Sequence, residues 1–338
     1  MIAHKKNSQN NKWLVIVNPN AGRKKGEKDW EEIKDLIKKT GIGFKSVFTE
    51  HRNHAINITI EYIKKGFRNF IIVGGDGTMN EVVNGIFIQK DIPTTDITLG
   101  MVPVGTGNDW GRMYYISKEY KKAIKTISRG NVFLQDAGVV KYHRKGVEKI
   151  RYFVNMAGMG YDALVAQKTN AMKEKGGGGP LAYLLNLVLG LFQYKNTFFE
   201  IKINDNEIFK GKVFSMSIGI CKYNGGGMKQ LPNAIPDDGL LDVTLIEETS
   251  KFKVVKNIKN LYDGSFTDMP EVKTYIGKTV SIVSRPGNTI YLETDGESLG
   301  HSPLNFSIIP KSVKIIVSKK YLKENFTFIG NQSNLRFP

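Results

Sequence analysis

Five consecutive residues, Gly74-Gly75-Asp76-Gly77-Thr78, combine three glycines with one carboxylate and one hydroxyl. Glycines let a backbone approach a ligand closely and adopt positive φ. The apolar run Asn69-Phe-Ile-Ile-Val73 before them reads as a strand, and a helical pattern follows over 79–89. A helix N-terminus offers free N–H groups and a partial positive charge, so this turn is suited to phosphate. A plain strand–helix turn would account for one or two glycines, but poorly for three around an aspartate. Asn80 and Glu81 fall in the first turn of the expected helix, with Asn84 on the face of Asn80. They could bind nucleotide or brace the turn, and Glu81 could equally serve the helix dipole. Pro103-Val-Gly-Thr-Gly-Asn-Asp109 is a second loop of the same kind. Gly105 and Gly107 open space there, Thr106 and Asn108 can donate to phosphate oxygens, and Asn108 or Asp109 could instead cap the next helix. Neither loop is a Walker A sequence or a Gly-x-Gly-x-x-Gly fingerprint.

Two acidic segments lie downstream. Asp295-Gly296-Glu297 follows a predicted strand over 290–293, and Asp-Gly is first of all a hairpin-turn signal. Pro236-Asp-Asp-Gly-Leu-Leu-Asp242 gathers oxygen ligands in a turn. Mg²⁺ takes a few carboxylates with carbonyls and waters, although an Asp-Asp-Gly turn needs no ion.

The elements that must position these residues alternate strand and helix in the first part of the chain. Strands are expected at 13–17, 44–48, 69–73 and 97–102, with helices over 29–39, 55–65 and 79–89. Such alternation implies an open, doubly wound parallel sheet with right-handed crossovers. Ligands bind such sheets at the carboxyl ends of strands, so the turns at 18–22, 74–78 and 103–108 should converge. Beyond about residue 135, strands are expected at 132–140, 150–156, 197–203, 208–220, 240–246, 279–283, 289–293, 305–309 and 313–317. Helices over 162–175, 181–194 and 251–262 interrupt them, with a glycine hinge at 175–180. The expectation is an α/β nucleotide-binding domain over 10–140, a mainly antiparallel β-sandwich with helical insertions over 141–318, and a tail over 319–338 that could pack back on the first domain.

A length of 338 residues fits two domains. The single cysteine, Cys221, excludes an internal disulfide and suits a reducing compartment. Residues 1–12 lack the apolar core of a signal peptide. The apolar run at 181–192 is too short to span a bilayer. A soluble, cytoplasmic protein is expected. Forty-nine Lys+Arg against thirty-two Asp+Glu give a net charge of +17. Such an excess suits nucleic acid, an anionic membrane surface or phosphorylated ligands, or is a solvated lysine-rich surface. The charges are dispersed and no nucleic-acid motif accompanies them, which disfavours nucleic acid.

Asn18-Pro-Asn-Ala-Gly22, Gly74-Gly-Asp-Gly-Thr-Met-Asn-Glu-Val-Val-Asn-Gly85 and Pro103-Val-Gly-Thr-Gly-Asn-Asp109 together resemble the diacylglycerol kinase catalytic domain. That family includes sphingosine and ceramide kinases and soluble bacterial lipid kinases, which this chain resembles most in its length. The two acidic segments, and Asn155-Met-Ala-Gly-Met-Gly-Tyr-Asp162, look like its second-domain motifs, so the likeness spans about residues 12–318. The resemblance implies an ATP-dependent lipid kinase with Mg²⁺, working in an interdomain cleft and peripheral to a membrane. It implies nucleotide contacts from Asn18, Thr49, Gly74, Gly75, Asp76, Gly77, Thr78, Asn80, Glu81, Thr106 and Asn108. Catalytic work would fall to Asp295 and Glu297, with Asp76 on Mg²⁺ or the acceptor hydroxyl. A structural cation would sit on Asp238 and the carbonyls of Ile235 and Leu240. The acceptor would be a lipid such as diacylglycerol or a sphingoid base, met in transient contact with an anionic membrane surface. An antiparallel edge strand could pair across a homodimer. Two rivals stay open: an NAD kinase, which shares the Gly-Gly-Asp-Gly-Thr turn, and a silent lipid-binding protein of the same fold.

Overall fold

Uncharged apolar runs become strands of a parallel sheet when helices cover both faces, and the first part of the chain follows this rule. The computed structural model describes residues 12–174, 190–192 and 194–332. The glycine run at 175–180, the apolar run at 181–192 up to residue 189, and the termini at 1–11 and 333–338 lie outside the described residues. Among the described residues, one unit holds those up to Gln135 and those from Lys311 onward; the other holds those between Asp136 and Pro310.

In the first unit, β1 (Trp13–Val17), β2 (Phe44–Phe48), β3 (Asn69–Gly74) and β4 (Thr98–Pro103) lie in the order β2-β1-β3-β4, all parallel. The end of a long final strand extends the sheet, with Lys314 and Ile315 paired in parallel to Thr98 and Leu99. Val15, Val17, Ile71, Val73 and Val102 have no exposed surface. Against them α2 (Trp30–Lys38) packs Trp30, Ile33 and Ile37, and α6 (Tyr120–Arg129) packs Ile124 and Ile127. These positions recur at helical spacing, which is how an amphipathic helix covers a sheet. The helix Lys319–Gln332 returns to this unit and sets Tyr321 4.9 Å from Tyr114, ring to ring.

Two details depart from the sequence pattern. A helix, α1 (Ala21–Lys28), precedes α2 where only a turn was expected, and its Gly22, Arg23 and Lys24 stay left-handed at φ 60, 62 and 67. The helix expected at 79 begins three residues earlier, as α4 (Asp76–Ile88), because extended Gly75 serves as its N-cap residue. Asp76, Gly77 and Thr78 are thus its first turn, and Asn80 and Glu81 belong to the second. On α4, Gly85 meets α3 (His54–Lys64), where an added Cβ would lie 2.8 Å from Ile56 O.

In the second unit, β7 (Met156–Gly160), β9 (Asn206–Gly219), β13 (Tyr291–Thr294), β14 (Glu297–Ile316), β12 (Thr279–Val283) and β8 (Thr197–Ile203) pair in a closed antiparallel path. Leu292, Met216, Ile218, Phe199, Ile201, Ile282 and Phe306 fill its interior. Outside the path, β10 (Leu241–Glu247) and β11 (Val272–Gly277) extend from β9, and β5 (Val132–Arg144) pairs with β6 (Val147–Phe153). The single strand expected at 150–156 is split, since the chain bends at Val154 and Asn155 between β6 and β7. The two strands expected at 305–309 and 313–317 are one, β14, which runs past Pro310 with Lys311 at φ 47. The helix expected over 251–262 is two short ones, Lys251–Lys256 and Asn260–Asp263, because the Asn257 amide donates back to Lys253 O at 2.8 Å. The helix after β7 is α7 (Tyr161–Glu174). No helix among the described residues is long and apolar enough to cross a membrane.

Replacing Gly85 by Val should lower stability by about 1–3 kcal/mol, because the new side chain meets main chain that cannot swing aside. Urea unfolding followed by circular dichroism measures the loss.

Candidate active site

The three turns of the first unit meet. Asn18 Nδ2 donates to Thr78 Oγ1 at 3.0 Å, joining the turn after β1 to the start of α4. Gly74 O accepts from Val104 N at 2.9 Å and Gly105 N at 3.3 Å. An added Cβ would lie 1.9 Å from Val104 O at Gly22, and 2.7 Å from Gly75 Cα at Gly105. Glycine is therefore required where these turns touch, whatever binds there. Asp76 then ties the loops: its Oδ2 accepts from Asp109 N and its Oδ1 from Trp110 N, both at 3.1 Å. This carboxylate covers the N-terminus of α5 (Asp109–Met113), so Asp109 begins that helix and Arg112 sits 3.4 Å from its carboxylate. Asn108 adopts φ 55 and donates to Gly105 O at 2.6 Å, while its Oδ1 is buried with no partner. Thr106 is exposed at the loop tip.

The other expected nucleotide residues are placed differently. Thr49 follows β2, its N–H bonded to Val17 O at 2.9 Å, beside the turn at 18–22. Glu81 accepts from Asn53 N at 2.9 Å and Ala55 N at 3.1 Å, capping α3. Asn80 has no exposed surface and its Oδ1 accepts from Asn84 Nδ2 at 3.1 Å. Being in the second turn of α4 rather than the first, both face inward and brace the fold.

In the second unit, Asp295 and Gly296 form the two-residue hairpin turn between β13 and β14, both left-handed at φ 48 and 82. The turn reading of Asp-Gly is therefore correct as far as the backbone goes. The Asp295 side chain is only 6% exposed. It accepts from Val154 N at 3.2 Å and from Asn155 N and Met156 N at 3.1 Å each, which bends the chain between β6 and β7. Glu297 is less enclosed and faces the Arg151 guanidinium at 3.2 Å. At the other acidic turn, Asp238 Oδ1 accepts from Leu240 N at 3.0 Å. The neighbouring Gly239 N donates to Asp136 Oδ2 at 2.7 Å. Among the described residues no three His, Cys, Asp or Glu side chains gather to hold a metal. An ion at that turn would need main-chain carbonyls such as those of Ile235 and Leu240.

Comparison with known proteins decides between families. Residues 12–140 match the diacylglycerol kinase catalytic domain, and residues 155–317 match the YegS C-terminal NAD kinase beta sandwich-like domain. The chain belongs to the diacylglycerol kinase catalytic-domain family. It is 28% identical over 301 residues to a diacylglycerol kinase of Staphylococcus saprophyticus, covering 89% of this chain and 93% of that one. It is 29% identical over 310 residues to a diacylglycerol kinase of Staphylococcus epidermidis, covering 92% and 93%. A crystal structure of a diacylglycerol kinase from Bacillus anthracis, 20% identical, aligns with a TM-score of 0.67 over 92% of this chain and 98% of that chain. At that identity the likeness speaks for the fold. The resemblance drawn from the motifs and the α/β-then-β-sandwich fold class are both borne out.

Within this kinase family member, sequence reading missed Arg151, Asp136 and Glu293, and met Asp162 only as the last residue of a motif. Arg151 meets Glu297 from 146 residues away, across strands that no local pattern pairs. Asp136 looked like one more residue of a strand, yet it is fully buried and holds the Asp238 turn.

The contrast between the two acids of the hairpin is testable. Asp295→Asn should cost about 2–3 kcal/mol of stability, since a carboxamide replaces a charged acceptor of three buried N–H groups. Glu297→Gln should cost less, about 1–2 kcal/mol, since a carboxamide can still accept from the largely buried Arg151 guanidinium but no longer balances its charge. Urea midpoints of the two variants measure the difference.

Proposed function

We propose that this chain is an ATP-dependent lipid kinase that transfers the γ-phosphoryl group to a lipid hydroxyl. The observation that carries the reading is the convergence of Asn18, Gly74–Thr78 and Gly105–Asn108 at the start of α4. The glycine-rich start of α4, with its N-terminal main-chain N–H groups, fits a polyphosphate.

In this reading Asn18, Thr49, Gly74, Gly75, Gly77, Thr78, Thr106 and Asn108 hold the nucleotide. Asp76 orients the loops through Asp109 N and Trp110 N, and its carboxylate also attracts Mg²⁺. ATP and Mg²⁺ supply the transferable phosphoryl group and neutralise its charge. The attacking lipid oxygen forms the new bond to phosphorus, the bond from phosphorus to the β–γ bridging oxygen breaks, and ADP leaves. The hydroxyl proton passes to a carboxylate of the second unit. Glu297 suits that task, since it faces Arg151 and is less enclosed than Asp295. Asp295, bound to three main-chain N–H groups, holds the hairpin in register. Asp238 with the Ile235 and Leu240 carbonyls would hold a structural Mg²⁺ in the second unit. The net charge of +17 favours work at an anionic membrane surface in the cytoplasm.

Incubation with γ-labelled ATP, Mg²⁺, a total lipid extract and NAD should place the label in a lipid identified by mass spectrometry. Label in NADP instead, or no transfer with lipid still bound, would contradict the reading. Chelation by EDTA should abolish transfer and excess Mg²⁺ should restore it. Glu297→Gln should lower kcat by about 10²–10⁴-fold, the usual contribution of a positioned base. Initial rates on vesicles containing phosphatidylglycerol should exceed those on phosphatidylcholine alone, and the gap should shrink with added salt.

A further inference from the structure

The transfer step makes no use of a second carboxyl pair that the fold buries beside the Asp295 turn. Glu293, in β13, is 2% exposed. Its Oε2 accepts from Gly296 N at 2.9 Å, within the turn itself, and Asn224 donates to the same carboxyl. Asp162, near the start of α7, accepts from Ser217 Oγ at 3.1 Å, with Ser215 and Gln230 also bonded to it. Both side chains occupy the space in front of Gly158. A Cβ there would lie 2.6 Å from Glu293 Oε1 and 2.9 Å from Asp162 Cβ.

The charged groups that face Glu293 are Asp162 from α7 and Asp295 from the turn, and the Asn224 amide facing it is neutral. Asp162 is faced by Ser215 and Ser217 of β9, by Gln230 and by the Tyr194 phenol. Burial, and then the Asp162 charge, push the Glu293 carboxyl up to about 8, while burial pushes Asp162 up to about 6. Neighbouring carboxyls in such a site cannot both be charged without repulsion, and one retained proton removes it.

We propose that Asp162 and Glu293 hold one proton between them, and that Glu293 acts as a positioning residue for the turn that carries Asp295 and Glu297. Protonated, the pair leaves Glu293 Oε2 free to accept from Gly296 N without setting a second charge against Asp295. Once the proton is lost, Glu293, Asp162 and Asp295 are all charged around one hairpin, and the turn shifts. Only the kinetic consequence rests on the phosphoryl-transfer reading.

Stability from the protonated pair is complete below the ordinary carboxylate range and is lost as pH rises through about 8, the Glu293 value. The melting temperature of the full chain should therefore fall between about pH 6 and about pH 9, and Glu293→Gln or Asp162→Asn should each remove at least about half of that fall. In the kinase assay, the wild type should lose kcat on the alkaline side with ATP KM unchanged. Glu293→Gln should keep kcat and lose that limb, whereas Glu293→Ala should lose kcat about tenfold or more. Two folded neutral variants with the wild-type dependence of melting on pH, or an alkaline limb that persists in Glu293→Gln, would overturn the proposal. If the wild type transfers phosphate to no lipid, the functional reading fails while the melting series still decides the carboxyl pair.

Discussion

Where a chain bends sharply its main-chain N–H groups lose their ladder or helix partners, and each one left buried costs about 1–3 kcal/mol. This protein meets that constraint repeatedly with carboxylates. Asp76 takes the first N–H groups of α5, Glu81 takes those at the start of α3, and Asp295 takes three at the break between β6 and β7. Asp136 does the same for the Asp238 turn. Hydrogen bonds to a charged acceptor contribute about 1.5–3 kcal/mol each, roughly twice a neutral one, so these ties fix the bends they span.

The same constraint explains why Asp76 sits among glycines. Its carboxylate reaches Asp109 N and Trp110 N only because Gly75 and Gly105 let two turns approach, and a Cβ on Gly107 would stand 3.3 Å from Asp76 Oδ2. The glycines thus serve contact between loops. In the second unit the hairpin carries its acids in opposite roles. Asp295 turns inward to organise main chain, and Glu297 turns toward Arg151.

Much of this was legible in the sequence. The strands of the first unit declare themselves as uncharged apolar runs, and the spacing of the Gly-Gly-Asp-Gly-Thr and Gly-Thr-Gly-Asn turns after them predicts their convergence. The start of α4 was misplaced because a glycine-rich stretch reads as a loop, although Gly75 in extended form allows a helix to begin at Asp76. The split at Val154 and Asn155 was hidden because its cause, Asp295, lies 141 residues away from Val154. The meeting of Glu293 with Asp162 was invisible for the same reason. Each looks ordinary alone, and only the pairing of β13 with β7 brings them before Gly158.

The central claim, that the turns of the first unit hold the phosphates of ATP, is tested most directly by calorimetric titration of the full chain with a non-hydrolysable ATP analogue and Mg²⁺. Saturable binding is expected that NAD does not displace and that Gly105→Val abolishes in a folded protein, since the new side chain would enter the contact with Gly75. Saturable binding of NAD with none of the ATP analogue, or undiminished ATP-analogue binding by Gly105→Val, would contradict it.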